Sequence, residues 1–241
     1  FNPNAVIAGQ YAQADKDARW FQSTPERGWE IFTKTFYPRP LVLGQYNNPF
    51  FSGTPYGGTD IVSFATDPDA DFLSRHYAAL LFTGWNTCTE TPYAALVDYV
   101  RRGGTLFISI PHLSTHFNRN YTSYGAGELI HGGDFSELCG VKITGRGKQF
   151  YWVVTPGADR PLGCSPQRKF GVCMTHMGDL EMTSEVEVIS VEDERFQPLL
   201  IRHRLGKGTV YFLNAWEYPG AFAHDTGPSS TNDSPGFIGA I

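Results

Sequence analysis

Tyr77-Ala-Ala-Leu-Leu-Phe-Thr83 and Thr105-Leu-Phe-Ile-Ser-Ile110 are the two apolar runs on which the reading of this fold turns. Each is short, continuous and bounded by glycine or proline, the pattern of a strand buried on both faces of a parallel sheet. Gly84 ends the first. Between the runs, Thr91-Pro92 starts a helix. The threonine caps it, and proline fits the first helical position, where its missing N–H would have no intrahelical partner anyway. Ala95, Leu96, Tyr99 and Val100 recur at the helical period and turn one apolar stripe toward the sheet. Arg101 and Arg102 fall in the last turn, where the helix dipole favours cations, and Gly103 ends the helix. Strand, helix, strand in this order is a β-α-β unit with a right-handed parallel crossover.

Outward from this unit the pattern is less regular. Upstream, Ala5 to Ala8 reads as a short strand closed by Gly9. Ser23-Thr24-Pro25-Glu26 reads as a helix start that would bring Trp29, Ile31 and Phe32 to the core. Residues 37–58, rich in Pro, Gly, Asn and Tyr, read as a long loop, and Asp60 to Phe64 as a second strand. Downstream, Asp134 caps a short helix, Phe135 to Cys139, ended by Gly140, and Val141 to Thr144 follows as a strand. From about 145 to 183 the short, aromatic, turn-punctuated pieces read as an antiparallel β insertion. Strands then return at Val186–Val191, Leu199–Leu205 and Thr209–Leu213. The last two are joined by a hairpin at Gly206-Lys207-Gly208, where the two glycines are expected to supply positive φ values. Glu192-Asp193-Glu194 reads as a solvated turn. The expectation is one α/β domain over residues 1–220, a three-layer sandwich with a mostly parallel sheet. An irregular tail or linker follows at 221–241.

The chain has 241 residues, 41% of them hydrophobic, and a formal net charge of −5. Mild acidity spread over the chain excludes nucleic acid as the expected partner, because phosphate binding needs a concentrated basic face. The densest basic stretch, Arg202, Arg204 and Lys207, lies in a strand-and-turn pattern and reads as solvated. No apolar run reaches the roughly 18 residues of a membrane helix. Solubility is therefore expected, with a cytoplasmic location favoured although the compartment itself stays open. The chain begins at Phe1 without an initiator Met and stops at Ile241 after a Gly/Pro/Ser-rich stretch, which reads as a fragment of a longer protein. Aromatic residues make up 15%, a proportion that serves sugar stacking and subunit interfaces alike. Cys88 and Cys139 stand alone. Cys164 and Cys173 suit a small disulfide loop or two separate thiols. No spacing supports zinc, and no cofactor is expected.

Three ordered stretches carry a resemblance. The first is Tyr77 to Trp85, followed by the helix that ends Tyr99-Val-Arg-Arg-Gly-Gly-Thr-Leu106. The second is Gly127-Glu-Leu-Ile130, leading to Phe135-Ser-Glu-Leu-Cys-Gly-Val141. The third is Gln197-Pro-Leu-Leu-Ile201, leading to Leu205-Gly-Lys-Gly-Thr-Val-Tyr-Phe-Leu213. Over roughly residues 60–215 this order resembles the class I glutamine-amidotransferase-like "trimerisation" domain of bacterial β-galactosidase-type glycoside hydrolases. The resemblance implies a flavodoxin-like sandwich that builds a homo-oligomer beside a catalytic barrel of the same parent chain. The bond-breaking carboxylates would lie in that barrel, outside this chain. The β insertion and the loop at 37–58 depart from the family pattern.

An active amidotransferase places a cysteine at the elbow after the strand Thr105–Ile110. Here that position reads Ser109-Ile110-Pro111-His112-Leu113, without a cysteine and without the Gly-x-Ser-x-Gly frame that a serine elbow needs. Cys88 lies one loop earlier, between a strand end and a helix start, where a thiolate would be favoured. His112 and His116 are at helical spacing, but Pro111 and Ser114-Thr115 point to a loop, and no acidic residue stands between them. Trp85 and Trp216, each just past a strand, and Tyr218 are candidates for a sugar-stacking platform or an interface. Three readings follow. The first is a non-catalytic assembly or accessory domain of a carbohydrate-active enzyme. The second is a hydrolase or amidotransferase relative with a non-standard site near Cys88, His112 and His116. The third is a carbohydrate-binding module using Trp85, Trp216 and the loop at 37–58.

Overall fold

The computed structural model describes residues 69–82, 88–115, 125–150, 153–154, 169–170, 175–192 and 195–216. The elements expected at Ala5–Ala8, 24–32 and Asp60–Phe64, the loop at 37–58 and the tail at 221–241 lie outside the described residues, as do the two cysteines Cys164 and Cys173.

The central β-α-β unit is present. Helix α1, Ala70–His76, is capped by the Asp69 side chain, which accepts from the Asp71 and Phe72 N–H groups. It leads into β1, Ala79–Leu81. Helix α2, Glu90–Arg101, then crosses to β2, Thr105–Ser109, which pairs with β1 in parallel. The helix begins earlier than expected. Its N-cap is Thr89, whose carbonyl accepts the Tyr93 N–H at 3.0 Å, and Pro92 sits inside the first turn, where no N–H is missed. Ala95, Leu96, Tyr99 and Val100 are buried as expected.

Strand β1 differs from its expectation. Tyr77 ends α1, so only three residues extend, and Leu81 is 45% exposed. It is the terminal strand among those described, and one of its faces is uncovered by them. The doubly buried pattern belongs to β2, where Leu106 and Ile108 enter the core cluster and Phe107, on the opposite face, is also buried.

Downstream are β3, Asp134–Phe135; helix α3, Ser136–Cys139; β4, Val141–Phe150; β5, Val153–Val154; β6, Lys169–Phe170; β7, Thr175–Met182; β8, Glu187–Glu192; β9, Pro198–Leu205; and β10, Gly208–Leu213. The main sheet has seven described strands in the order β1-β2-β10-β9-β8-β5-β6. It is mixed, where a mostly parallel sheet is expected. Only β1, β2 and β10 run parallel, and every pairing from β10 outward is antiparallel. The cause is the tight turn between β9 and β10, because a two-residue hairpin can join only antiparallel neighbours. Helices α2 and α3 touch each other, and both pack on β9 and β10.

The expected insertion at 145–183 is antiparallel, but its bounds differ. The second sheet, β3-β4-β7, already starts at Asp134, and β5 and β6 extend the main sheet instead. Two register shifts along β4, at Ile143/Gly145 and Arg146/Gln149, interrupt its ladder with β7.

The phrases that carry the family resemblance touch one another. The turn at Gly206-Lys207 lies on the end of α2, with Lys207 N–H donating to Arg101 O at 3.1 Å and Thr209 N–H donating to Gly104 O at 3.2 Å. Gly206 has φ +61°, as a tight turn requires. Gly208 lacks the expected positive φ and is needed for space: a Cβ there would lie 2.1 Å from Val100 O. Gly104 is likewise covered by the Tyr99 ring, at 2.2 Å from an added Cβ. The Tyr99 hydroxyl donates to Tyr77 O and Thr105 O. From the second phrase, Leu138 O accepts from His203 Nδ1 at 3.0 Å, Glu137 pairs with Arg101 at 2.6 Å, and the Phe135 ring lies 6.2 Å from that of Phe212.

Candidate functional site

Open α/β sheets present ligands at the carboxyl ends of their parallel strands. Here that edge comprises Ser109 at the end of β2, Leu213 at the end of β10 and Asn214-Ala215-Trp216 after it. Strand β8 runs in the same direction and ends there with Glu192, while β9 starts there with Pro198.

After β2 the chain turns into a 3-10 helix at Ile110–Leu113. Pro111 stands at its start, and His112 folds back onto Ser109. The Ser109 N–H donates to His112 Nδ1 at 3.0 Å, and the Ser109 hydroxyl lies 3.0 Å from the same nitrogen. The backbone contact fixes Nδ1 as an acceptor, so a neutral ring carries its proton on Nε2. Ser109, Ile110, Pro111, His112, Leu113 and Ser114 are all buried. The pair is therefore the reciprocal cap of a buried turn, and neither side chain opens to solvent.

Strand β7 of the second sheet covers this edge. Asn214 holds it. The Asn214 carbonyl oxygen accepts the Gly178 N–H at 3.1 Å, and its amide nitrogen donates to Gly178 O at 3.2 Å and to Pro198 O at 3.1 Å. A Cβ on Gly178 would lie 2.8 Å from the Ile110 side chain and 2.9 Å from the Asn214 side-chain oxygen, so backbone packs there directly on side chains. Two residues earlier on β7, His176 O accepts the Trp216 N–H at 2.8 Å.

Glu192 adds a second tie. It is 0% exposed, against the expectation of a solvated Glu192-Asp193-Glu194 turn. One carboxylate oxygen receives Lys148 Nζ from β4 at 2.6 Å. The other accepts the Arg195 and Gln197 N–H groups at 2.7 and 3.1 Å. A buried carboxylate held by one ammonium and two amides is compensated in the way burial demands. Asp193 and Glu194 lie outside the described residues.

The structure places the expected site residues as follows. Cys88 is buried and its thiol meets Thr89 O at 3.7 Å. Burial, with the nearby Glu90 carboxylate adding to it, pushes the Cys88 thiol from 9.0 up to about 12. That opposes the thiolate expected from a helix start, because desolvation outweighs the dipole of the first turn. Cys139, fully buried, is also raised, by burial first and by Cys88 second. The backbones of the two candidate loops meet: Cys88 N–H donates to Ser114 O at 2.7 Å, two residues beyond His112. Trp216 is 1% exposed and belongs to the core cluster. This corrects its expected role as a sugar-stacking platform or interface residue, since the ring is packed inside the chain. Trp85, Tyr218 and His116 lie outside the described residues. Among the described residues no group of three or more His, Cys, Asp or Glu side chains could hold a metal ion, and no helix is long and apolar enough to cross a membrane.

Sequence reasoning missed Asn214, Gly178, Lys148 and Glu192. An asparagine after a strand and a glycine within one have many other readings, and nothing in the spacing ties 178 to 214 or 148 to 192.

No protein-family profile matches the chain, and no curated protein matches it. Solved structures do show likenesses. A β-galactosidase from Bacillus circulans sp. alkalophilus is 16% identical over 65% of this chain and 22% of its own, with a TM-score of 0.45. An exo-β-1,4-mannosidase from Opitutaceae bacterium strain TAV5 is 16% identical over 80% of this chain and 27% of its own, with a TM-score of 0.49. A cytoplasmic protein from Salmonella typhimurium is 13% identical over 72% of this chain and 78% of its own, with a TM-score of 0.47. The chain thus spans about a quarter of the two glycosidases to which it is similar.

Proposed function

We propose that this chain is a non-catalytic assembly or accessory domain of a carbohydrate-active enzyme. In this reading it is a class I amidotransferase-like domain of a β-galactosidase-type glycoside hydrolase that brings together copies of a parent chain. The catalytic barrel of that parent would lie outside these residues. The observation that carries the reading is the filled carboxyl edge of β2 and β10. Nucleophilic catalysis needs a side chain that a substrate can reach, with an activating base beside it. The position that an elbow nucleophile would occupy holds Ser109 and His112 as a buried cap, and Gly178 packs on the neighbouring Ile110 and Asn214 side chains. Among the described residues the Cys88 thiol, one loop away, is buried and keeps its proton at neutral pH. The interlocking of the three family-like phrases also supports the reading, because each lies where the others need it to close the fold.

The test is a pair of measurements on the purified chain. Chromogenic β-galactosides, other glycosides and glutamine should show no turnover above the uncatalysed rate, and light scattering should give a mass above that of one copy. Turnover that disappears in a Cys88→Ser or His112→Ala variant would overturn the reading in favour of a hydrolase. A single-copy mass at all concentrations would remove the assembly role.

A further inference from the structure

We draw no further inference here: the strongest candidate, the exposed Phe196 in the turn between β8 and β9, held at φ +58° beside the buried Glu192 carboxylate, carries nothing because nothing in the structure shows what covers it.

Discussion

The two ends of the central strands β2 and β10 are closed by different means. At the amino end, backbone meets backbone. The hairpin at Gly206-Lys207 lies on the last turn of α2, and glycines leave room for carbonyls where a side chain would collide. At the carboxyl end, side chains join the backbone bond from Trp216 N–H to His176 O in the closing. Asn214 binds both polar groups of Gly178, His112 caps onto Ser109, and Trp216 fills the interior. A closure made of glycine backbone tolerates almost no added volume. One made of polar side chains depends on each hydrogen bond being kept. The carboxyl end is where open α/β sheets place ligands, and here Ser109, His112, Asn214 and Trp216 are buried in it.

If Trp216 is part of the closure, Trp216→Ala should lower stability by about 4 kcal/mol, the range for a fully buried large aromatic. A urea-unfolding midpoint that hardly moves would return the ring to the surface and revive a sugar platform. At the other end, Gly208→Ala should cost about 3 kcal/mol, because the added carbon meets the backbone oxygens of Val100 and Gly104 at 2.1 and 2.4 Å and neither can swing aside. The same unfolding curve reads this, and an unchanged midpoint would mean that the hairpin does not rest on α2. Asn214→Ala should cost about 2 kcal/mol by leaving Gly178 and Pro198 without their partners. It should also loosen the carboxyl end alone, so that exchange quickens at Gly178 but not at Thr209.

The smallest effect at neutral pH concerns Cys88. Its thiol keeps its proton up to about pH 12 in the folded chain, against 9.0 for an ordinary thiol. Above pH 9 the unfolded chain therefore loses a proton that the folded chain retains. Whatever stability the buried neutral thiol contributes is complete below pH 9 and falls away as the pH rises toward 12. Labelling of Cys88 in the native chain at pH 8, read by peptide mapping, should be slow and limited by unfolding. Rapid labelling at that residue would restore Cys88 as a reactive group.

The pieces of the amino-end closure were legible in the sequence, though not their contact, and those of the carboxyl-end closure were not. Tyr99-Val-Arg-Arg-Gly-Gly and Gly-Lys-Gly announce a helix end and a hairpin by local chemistry, and the apolar stripe of α2 follows from its period. Even so, the reason for Gly208 differed: it is a matter of space, which only the neighbouring helix reveals. The parallel character of the sheet was overestimated even though the Gly206-Lys207-Gly208 hairpin was legible, and that hairpin alone makes β9 and β10 antiparallel. Glu192 read as solvated because a run of acids in a turn usually is. Its partner Lys148 lies on a strand of the other sheet, with no sequence period to connect the two. Cys88 read as a candidate because a helix start favours a thiolate, while the burial that opposes it is a tertiary fact. Trp216 read as a platform or interface residue because its place after a strand is local, whereas its burial in the core is a tertiary fact.

The most direct measurement is native-state hydrogen exchange at the two ends. Gly178 and Trp216 N–H groups close the carboxyl end at 3.1 and 2.8 Å, and Lys207 and Thr209 N–H groups close the amino end at 3.1 and 3.2 Å. If both ends are closed parts of one core, all four amides should exchange within about tenfold of one another, by the same large opening. Exchange at Gly178 and Trp216 close to the unprotected rate, with Thr209 still protected, would show an open carboxyl edge and contradict the account.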